Sequence, residues 1–387
     1  MSIDGIAALL FVLILALFLW QKRKQVQLQK ALFPILYVIM YRSSFGLKTM
    51  DRIAKKFPRT LKALGDISVI LGFIGMLLIC AQLIYNTIEV IIGKAAPGIQ
   101  PVLPIEAKGV FFVPFLYWII SIFLLALVHE FSHGVLARAH NMPVKSSGFA
   151  FLCLLLPVIP AAFVEPDEKT VQKRPNRQQL GLFAAGPISN ILFALAIFGL
   201  FFAANPLLTA AFEQQGVQTV TVEGPSKEAG LQQGDIITGI NGVKITSAQN
   251  ITKIIEPLKP GETITTELES KTLNITLGEH PENNTKPYLG IQVKNNLVPK
   301  QEFTQKYGTW TPPIIKWSSG LLFWLFMLNI GIGLFNLLPI GPLDGGRMFQ
   351  LVCLKLFNKT TALKIWGYVS VFFAIIIILN IILGIIL

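Results

Sequence analysis

The residues His129-Glu130-Phe131-Ser132-His133 lie inside an unbroken apolar stretch, where charges and imidazoles are costly. On a helix, residues four apart share a face, so both imidazoles can reach one metal ion while Glu130 stands beside it. That spacing serves zinc-dependent hydrolysis: two metal ligands and one general base. Only four histidines occur in 387 residues, and His140 and His280 have no such partner. A hydrolytic zinc site takes three protein ligands and keeps one position open for water, so the third ligand must come from elsewhere. Acidic residues within or beside the apolar runs reduce to Glu89, Glu130, Glu165 and Asp344. Asp344 stands in Asn336-Leu337-Leu338-Pro339-Ile340-Gly341-Pro342-Leu343-Asp344-Gly345-Gly346, where two prolines and several glycines interrupt a helix that begins near residue 315. Irregular backbone at membrane depth is tolerated only where it lines a protein cavity or water-filled site, so the break is itself a site signal. The plainer reading of Asp344 is a turn residue ahead of two glycines.

The elements that must position these groups are membrane helices. The chain is 53% hydrophobic and 14% charged, against about 25% charged in soluble domains. Six segments reach the roughly 20 apolar residues that span a bilayer: 3–20, 67–92, 109–137, 179–204, 315–338 and 365–387. The first reads as a retained anchor, because Asp4 stands at its start, Lys22-Arg23-Lys24 follow it and no small-residue cleavage site closes it. Eleven Lys and Arg lie between the first two spans, which predicts a cytoplasmic loop. Alternate threading then places Arg138, Lys173, Arg174 and Arg177, and also Arg347, Lys355, Lys359 and Lys364, on the same side. Both termini are expected outside, with both motifs near the cytoplasmic ends of the third and fifth spans. The net charge of +12 is thus accounted for by loops facing anionic lipid, and nucleic acid is not an expected partner. Cys80, Cys153 and Cys353 show no paired spacing and read as packing residues.

Residues 205–312 break this pattern and hold eleven of the 21 acidic residues. Turn signals at Gly224-Pro225, Asn241-Gly242 and Pro260-Gly261 separate alternating runs such as 235–240 and 263–268. Sequons at Asn250, Asn274 and Asn283 fall here too. The run Gly224-Pro225-Ser226-Lys227-Glu228-Ala229-Gly230-Leu231, followed by Gly234-Asp235-Ile236-Ile237 and Ile240-Asn241-Gly242, resembles a PDZ domain of the kind attached to prokaryotic proteases. The resemblance implies that Ala229-Gly230-Leu231 begins a short helix and that Asn241-Gly242 turns a hairpin. PDZ domains bind extended peptides by strand addition; a spacer with an occluded groove is the other reading.

The apolar His-Glu-x-x-His helix, Gly186-Pro187-Ile188-Ser189-Asn190 and the Asn-x-x-Pro-x-x-x-Leu-Asp-Gly segment together resemble the site-2 protease family of intramembrane metalloproteases over residues 109–350. The resemblance implies one zinc ion per chain held by His129, His133 and Asp344, Glu130 as general base, and Asn190 steadying substrate or oxyanion. The expected fold is a polytopic α-helical membrane protein of about six transmembrane helices with one inserted small β-rich, PDZ-like domain. Its expected parts are 1–108 (helices and basic loop), 109–204 and 313–350 (the catalytic membrane core), 205–312 (the inserted domain) and 351–387 (a last helix that packs). The stretch 148–164, apolar but interrupted by Pro157 and Pro160, reads as a re-entrant hairpin or sheet edge for an extended substrate. Ala31–Tyr41 is too short to cross and reads as an interfacial segment. The expected activity is cleavage of transmembrane protein substrates, already trimmed on the outer side, near the cytoplasmic face of the cell membrane. A metal transporter or receptor using the same His and Asp residues is the competing class.

Overall fold

A computed structural model describes residues 3–32, 36–154, 156–281 and 283–386. The chain divides into two compact units, Met1–Phe202 with Gly320–Leu387, and Ala203–Ser319. Among the described residues six helices are long and apolar enough to cross a bilayer: Ile3–Gln21 (α1), Pro58–Ile91 (α3), Phe115–Ala139 (α4), Asn176–Ala211 (α6), Thr311–Phe335 (α10) and Lys359–Ile386 (α12). They coincide with the six segments expected. The main shift is at α3, which starts at Pro58 rather than 67, because proline suits the first helical position and its polar first turns extend past the apolar run. Buried polar glue joins two of them: the Asn380 amide in α12 donates to Thr87 Oγ1 in α3 at 2.8 Å.

The first unit also holds a four-stranded antiparallel sheet. Val26–Leu32 (β1) and Leu36–Ser43 (β2) form one hairpin, Val144–Leu154 (β5) and Leu156–Pro166 (β6) another, in the order β1-β2-β5-β6. The expected hairpin over 148–164 is therefore present, with β6 at the sheet edge. The segment Ala31–Tyr41, too short to cross as expected, supplies the end of β1 and most of β2, and β2 pairs with β5 from Leu36↔Leu154 to Ser43↔Ser147. Its β-branched and aromatic residues alternate across a pleat, and pairing satisfies the backbone groups. Pro34 lies outside the described residues. The β2–β5 pairing is close at Gly148, where a Cβ would lie 2.0 Å from the Tyr41 carbonyl oxygen. Leu47–Lys56 (α2) buries Met50 and Ala54, one turn apart, and packs on α4. A two-residue parallel pair, Val102–Leu103 (β3) and Phe111–Phe112 (β4), precedes α4, and Glu168–Gln172 (α5) follows β6, N-capped by Asp167. After α10 the chain turns into Asp344–Leu356 (α11).

In the second unit, Phe212–Val222 (β7), Ile236–Ile240 (β8), Val243–Lys244 (β9), Thr263–Leu268 (β10), Thr272–Thr276 (β11) and Ile291–Pro299 (β14) form one sheet in the order β11-β10-β8-β7-β14, with β9 on β8. Gly278–His280 (β12) pairs Asn283–Tyr288 (β13), and the short helices are Gly224–Glu228 (α7), Ala248–Ile255 (α8) and Gln301–Tyr307 (α9). Ile237, Ile240, Ile245 and Ile275 are fully buried, each contributing about 1.5–3 kcal/mol by leaving water. Asn241 (φ 51°) and Gly242 (φ 75°) make the expected hairpin turn. The expected helix start at Ala229-Gly230-Leu231 is corrected: α7 begins at Gly224 with Pro225 in its first turn and is closed by Gly230 at φ 86°, the left-handed residue that ends helices.

Gly148→Ala should break the β2–β5 register. The expected outcome is a purified chain whose thermal unfolding midpoint falls by several degrees, whereas Gly199→Ala, where a Cβ meets nothing within 4 Å, leaves it unchanged.

Candidate metal centre

His129 and His133 sit one turn apart on α4, 8% and 9% exposed, with their Nε2 atoms 3.1 Å apart. Asp344 is the first residue of α11, and its Oδ2 lies 3.0 Å from His129 Nε2 and 3.3 Å from His133 Nε2. Donors held tetrahedrally at zinc's usual 2.0–2.1 Å are about 3.3 Å apart, so this triangle of two nitrogens and one carboxylate oxygen fits that ion. The space beside it is kept by Gly186 of α6, where a Cβ would fall 2.4 Å from His133 Nε2 and 2.6 Å from His129 Nε2.

Asp344 reaches this point because the chain between α10 and α11 folds back tightly. Gly345 N–H donates to Asn336 O at 2.8 Å. Side chains of α12 brace the same loop, Trp366 Nε1 donating to Gly346 O at 3.0 Å and Ser370 Oγ to Pro339 O at 3.2 Å. A Cβ at Gly345 would stand 2.1 Å from Leu337 O, and at Gly346 2.0 Å from Ile340 O. The glycine pair is thus a steric requirement of the fold-back as well as a turn signal.

With Nε2 facing the centre, each imidazole must donate from Nδ1. His133 Nδ1 meets the Leu182 carbonyl at 2.7 Å. His129 Nδ1 lies 3.3 Å from the amide nitrogen of Asn190, while Asn190 Oδ1 is buried without a partner. Turning that amide by 180° pairs the orphan oxygen with the His129 Nδ1–H and satisfies both. Asn190 is completely buried, its amide against the ring. The Leu182 carbonyl carries no sequence signature, since any residue supplies one. Gly186 is visible in sequence, yet only the packing shows that its missing side chain makes room for the imidazoles.

Glu130 lies beside the triad, and its Oε2 accepts the Val164 N–H of β6 at 2.9 Å. That amide therefore points away from β5. The five residues singled out in the sequence, His129, Glu130, His133, Asn190 and Asp344, come together in one place. A cavity of about 1250 Å³ is lined by His129, Glu130, His133 and Asp344 and also by polar residues such as Lys145 and Arg347, so water has room at the centre.

Residues 117–380 match the model of peptidase family M50. The chain belongs to that family. An uncharacterised protein of Methanocaldococcus jannaschii is 31% identical to this M50 chain over 80% of the chain and 76% of the relative. The zinc metalloprotease RasP of Geobacillus kaustophilus is 26% identical over 48% of the chain and 55% of its own length, so the chain spans about half of that relative. A solved PDZ domain of an SdrC-like protein of Listeria monocytogenes matches 20% of the chain and 87% of that structure at 25% identity, with a TM-score of 0.19. Family and donor set agree on a zinc metalloendopeptidase.

Gly186→Ala should push the imidazoles off the triangle. Zinc per purified chain, measured by atomic emission after dialysis against a weak chelator, is expected to fall at least about tenfold while the helical content is retained.

Proposed function

We propose that this chain is an intramembrane endopeptidase that cuts transmembrane segments of membrane-protein substrates near the cytoplasmic face. The observation that carries the reading is the convergence of His129 and His133 from one helix and Asp344 from another on one point, with a further acid, Glu130, beside it. These three side chains would hold zinc. Zinc held there would lower the pKa of bound water towards about 7 and would polarise a carbonyl.

The protein's own groups do the rest. Leu182 O and Asn190 fix the imidazoles, so the two Nε2 lone pairs are aimed before any ligand arrives. This assigns Asn190 to holding a ring in place of contact with substrate. Glu130, with Oε2 occupied by Val164, offers Oε1 to the attacking water, accepts its proton and returns it to the leaving amine. A substrate helix satisfies its own backbone bonds and must first unwind; the edge of β6, beside Glu130, is placed to pair with the extended stretch. The basic loops support a cytoplasmic position for the site and outer termini by the positive-inside bias. Pre-trimmed substrates follow from the inserted domain read as a size filter.

Cleavage of a single-span model substrate by the purified chain tests the reading. Glu130→Gln is expected to keep one zinc per chain and lose at least about a thousandfold in kcat, whereas Asp344→Asn loses the metal together with activity. Persistent cleavage by Glu130→Gln would sink the assignment.

A further inference from the structure

The carboxylate of Glu130 is held by a backbone amide, and that amide belongs to an edge strand. An edge strand has ladder bonds on one side only, so by itself it is a soft support. Residues 163–165 of β6 are nevertheless gripped on both faces. Side chains alternate along a strand: Val164 faces α4, where a Cβ at Gly134 would come 3.1 Å from Val164 Cγ1. Phe163 and Glu165 take the opposite face.

On that face one side chain gathers all four strands. Arg42, in β2, reaches across β5: its Nη1 donates to Ser146 Oγ at 3.1 Å and forms an ion pair with Glu165 Oε2. Ser146 Oγ donates to the same carboxylate oxygen at 2.8 Å. The guanidinium carbon also stands 6.0 Å from the centre of the Phe163 ring, and Arg42 Nε donates to Gln27 Oε1 of β1 at 3.0 Å. Arg42 therefore holds both chain neighbours of Val164. The Ser146 hydroxyl, and after it the Arg42 guanidinium, hold the Glu165 carboxyl below its usual range, so the clamp is charged at neutral pH.

We propose that Arg42 is a positioning residue for hydrolysis: by fixing Phe163 and Glu165 it sets the Val164 amide, and through that amide the orientation of Glu130. This rests on the reading of Glu130 as general base. The ion pair is about one-third exposed on each side, a setting in which ion pairs contribute little to stability. Its geometric leverage is larger, because a displacement of about 1 Å at a reacting group costs up to roughly a hundredfold in rate.

The test uses the purified full chain with the single-span substrate, recording kcat, KM, zinc per chain and the unfolding midpoint. Arg42→Ala and Glu165→Gln are each expected to lower kcat about tenfold or more, with KM and zinc unchanged. The double variant should be no slower than the slower single one, and Arg42→Lys should recover part of the rate. A kcat within twofold of wild type, or a loss that appears as raised KM or missing zinc, overturns the proposal. Should Arg42→Ala not fold, Glu165→Gln, which removes only a charge, decides on the same criteria. An inactive wild type, or an active Glu130→Gln, instead overturns the endopeptidase reading.

Discussion

Two imidazole nitrogens and a carboxylate oxygen, all within 3.3 Å of one another, form the contact on which the first unit depends. In an apolar interior such a cluster is stable only when a cation or shared protons balance it, and apart from that it is a concentration of unsatisfied lone pairs. The surrounding elements are shaped to keep it compact. Gly186 removes a side chain, the Gly345-Gly346 pair lets the loop after α10 fold back, and Leu182 and Asn190 fix the rings. Each of these contributions is steric or orienting, so the centre is preorganised by backbone geometry more than by charge.

A second constraint acts on the hydrolytic side. In the proposed hydrolysis Glu130 must sit beside the two histidines without joining them at the metal, and residues 129 and 130 point about 100° apart on a helix. The turn of α4 alone therefore separates the two roles. The sheet supplies what the helix cannot, a donor fixed in space for the acid to lean on. This gives a role to the four-stranded sheet in a unit otherwise built mainly of helices: a strand edge presents backbone groups laterally, whereas a helix consumes its own.

The helices and the centre were legible from sequence because both leave strong marks. Twenty-residue apolar runs are unmistakable, and a His pair at four-residue spacing in a chain with four histidines has few readings. Asp344 was reachable because only a few acids lie near the apolar runs, a helix break marks this one, and the family resemblance implies its place at the metal. The hairpin of β1 and β2 was not, because Ala31–Tyr41 is nearly uniformly apolar and hides its two-residue period. The start of α7 was misplaced for a different reason. A PDZ-like pattern drew attention to Ala229-Gly230-Leu231, while the local chemistry, Pro225 at a helix start and Gly230 at its end, points to the preceding residues. The clamp around Glu165 joins residues 123 positions apart, and no local pattern announces such a pairing.

Pro160 and Pro166 carry no amide hydrogen, and both fall at the same alternate positions of β6 as Val164, since the strand register runs unbroken from Pro160 to Val164. Between these two prolines, donors facing away from β5 are confined to Ala162 and Val164, and the second is already engaged. So short a row can seat a brief stretch of guest backbone but offers no ladder along which copies of the chain could stack. From residue 160 to 166 the β6 border of this sheet is thus guarded against self-association by two proline rings.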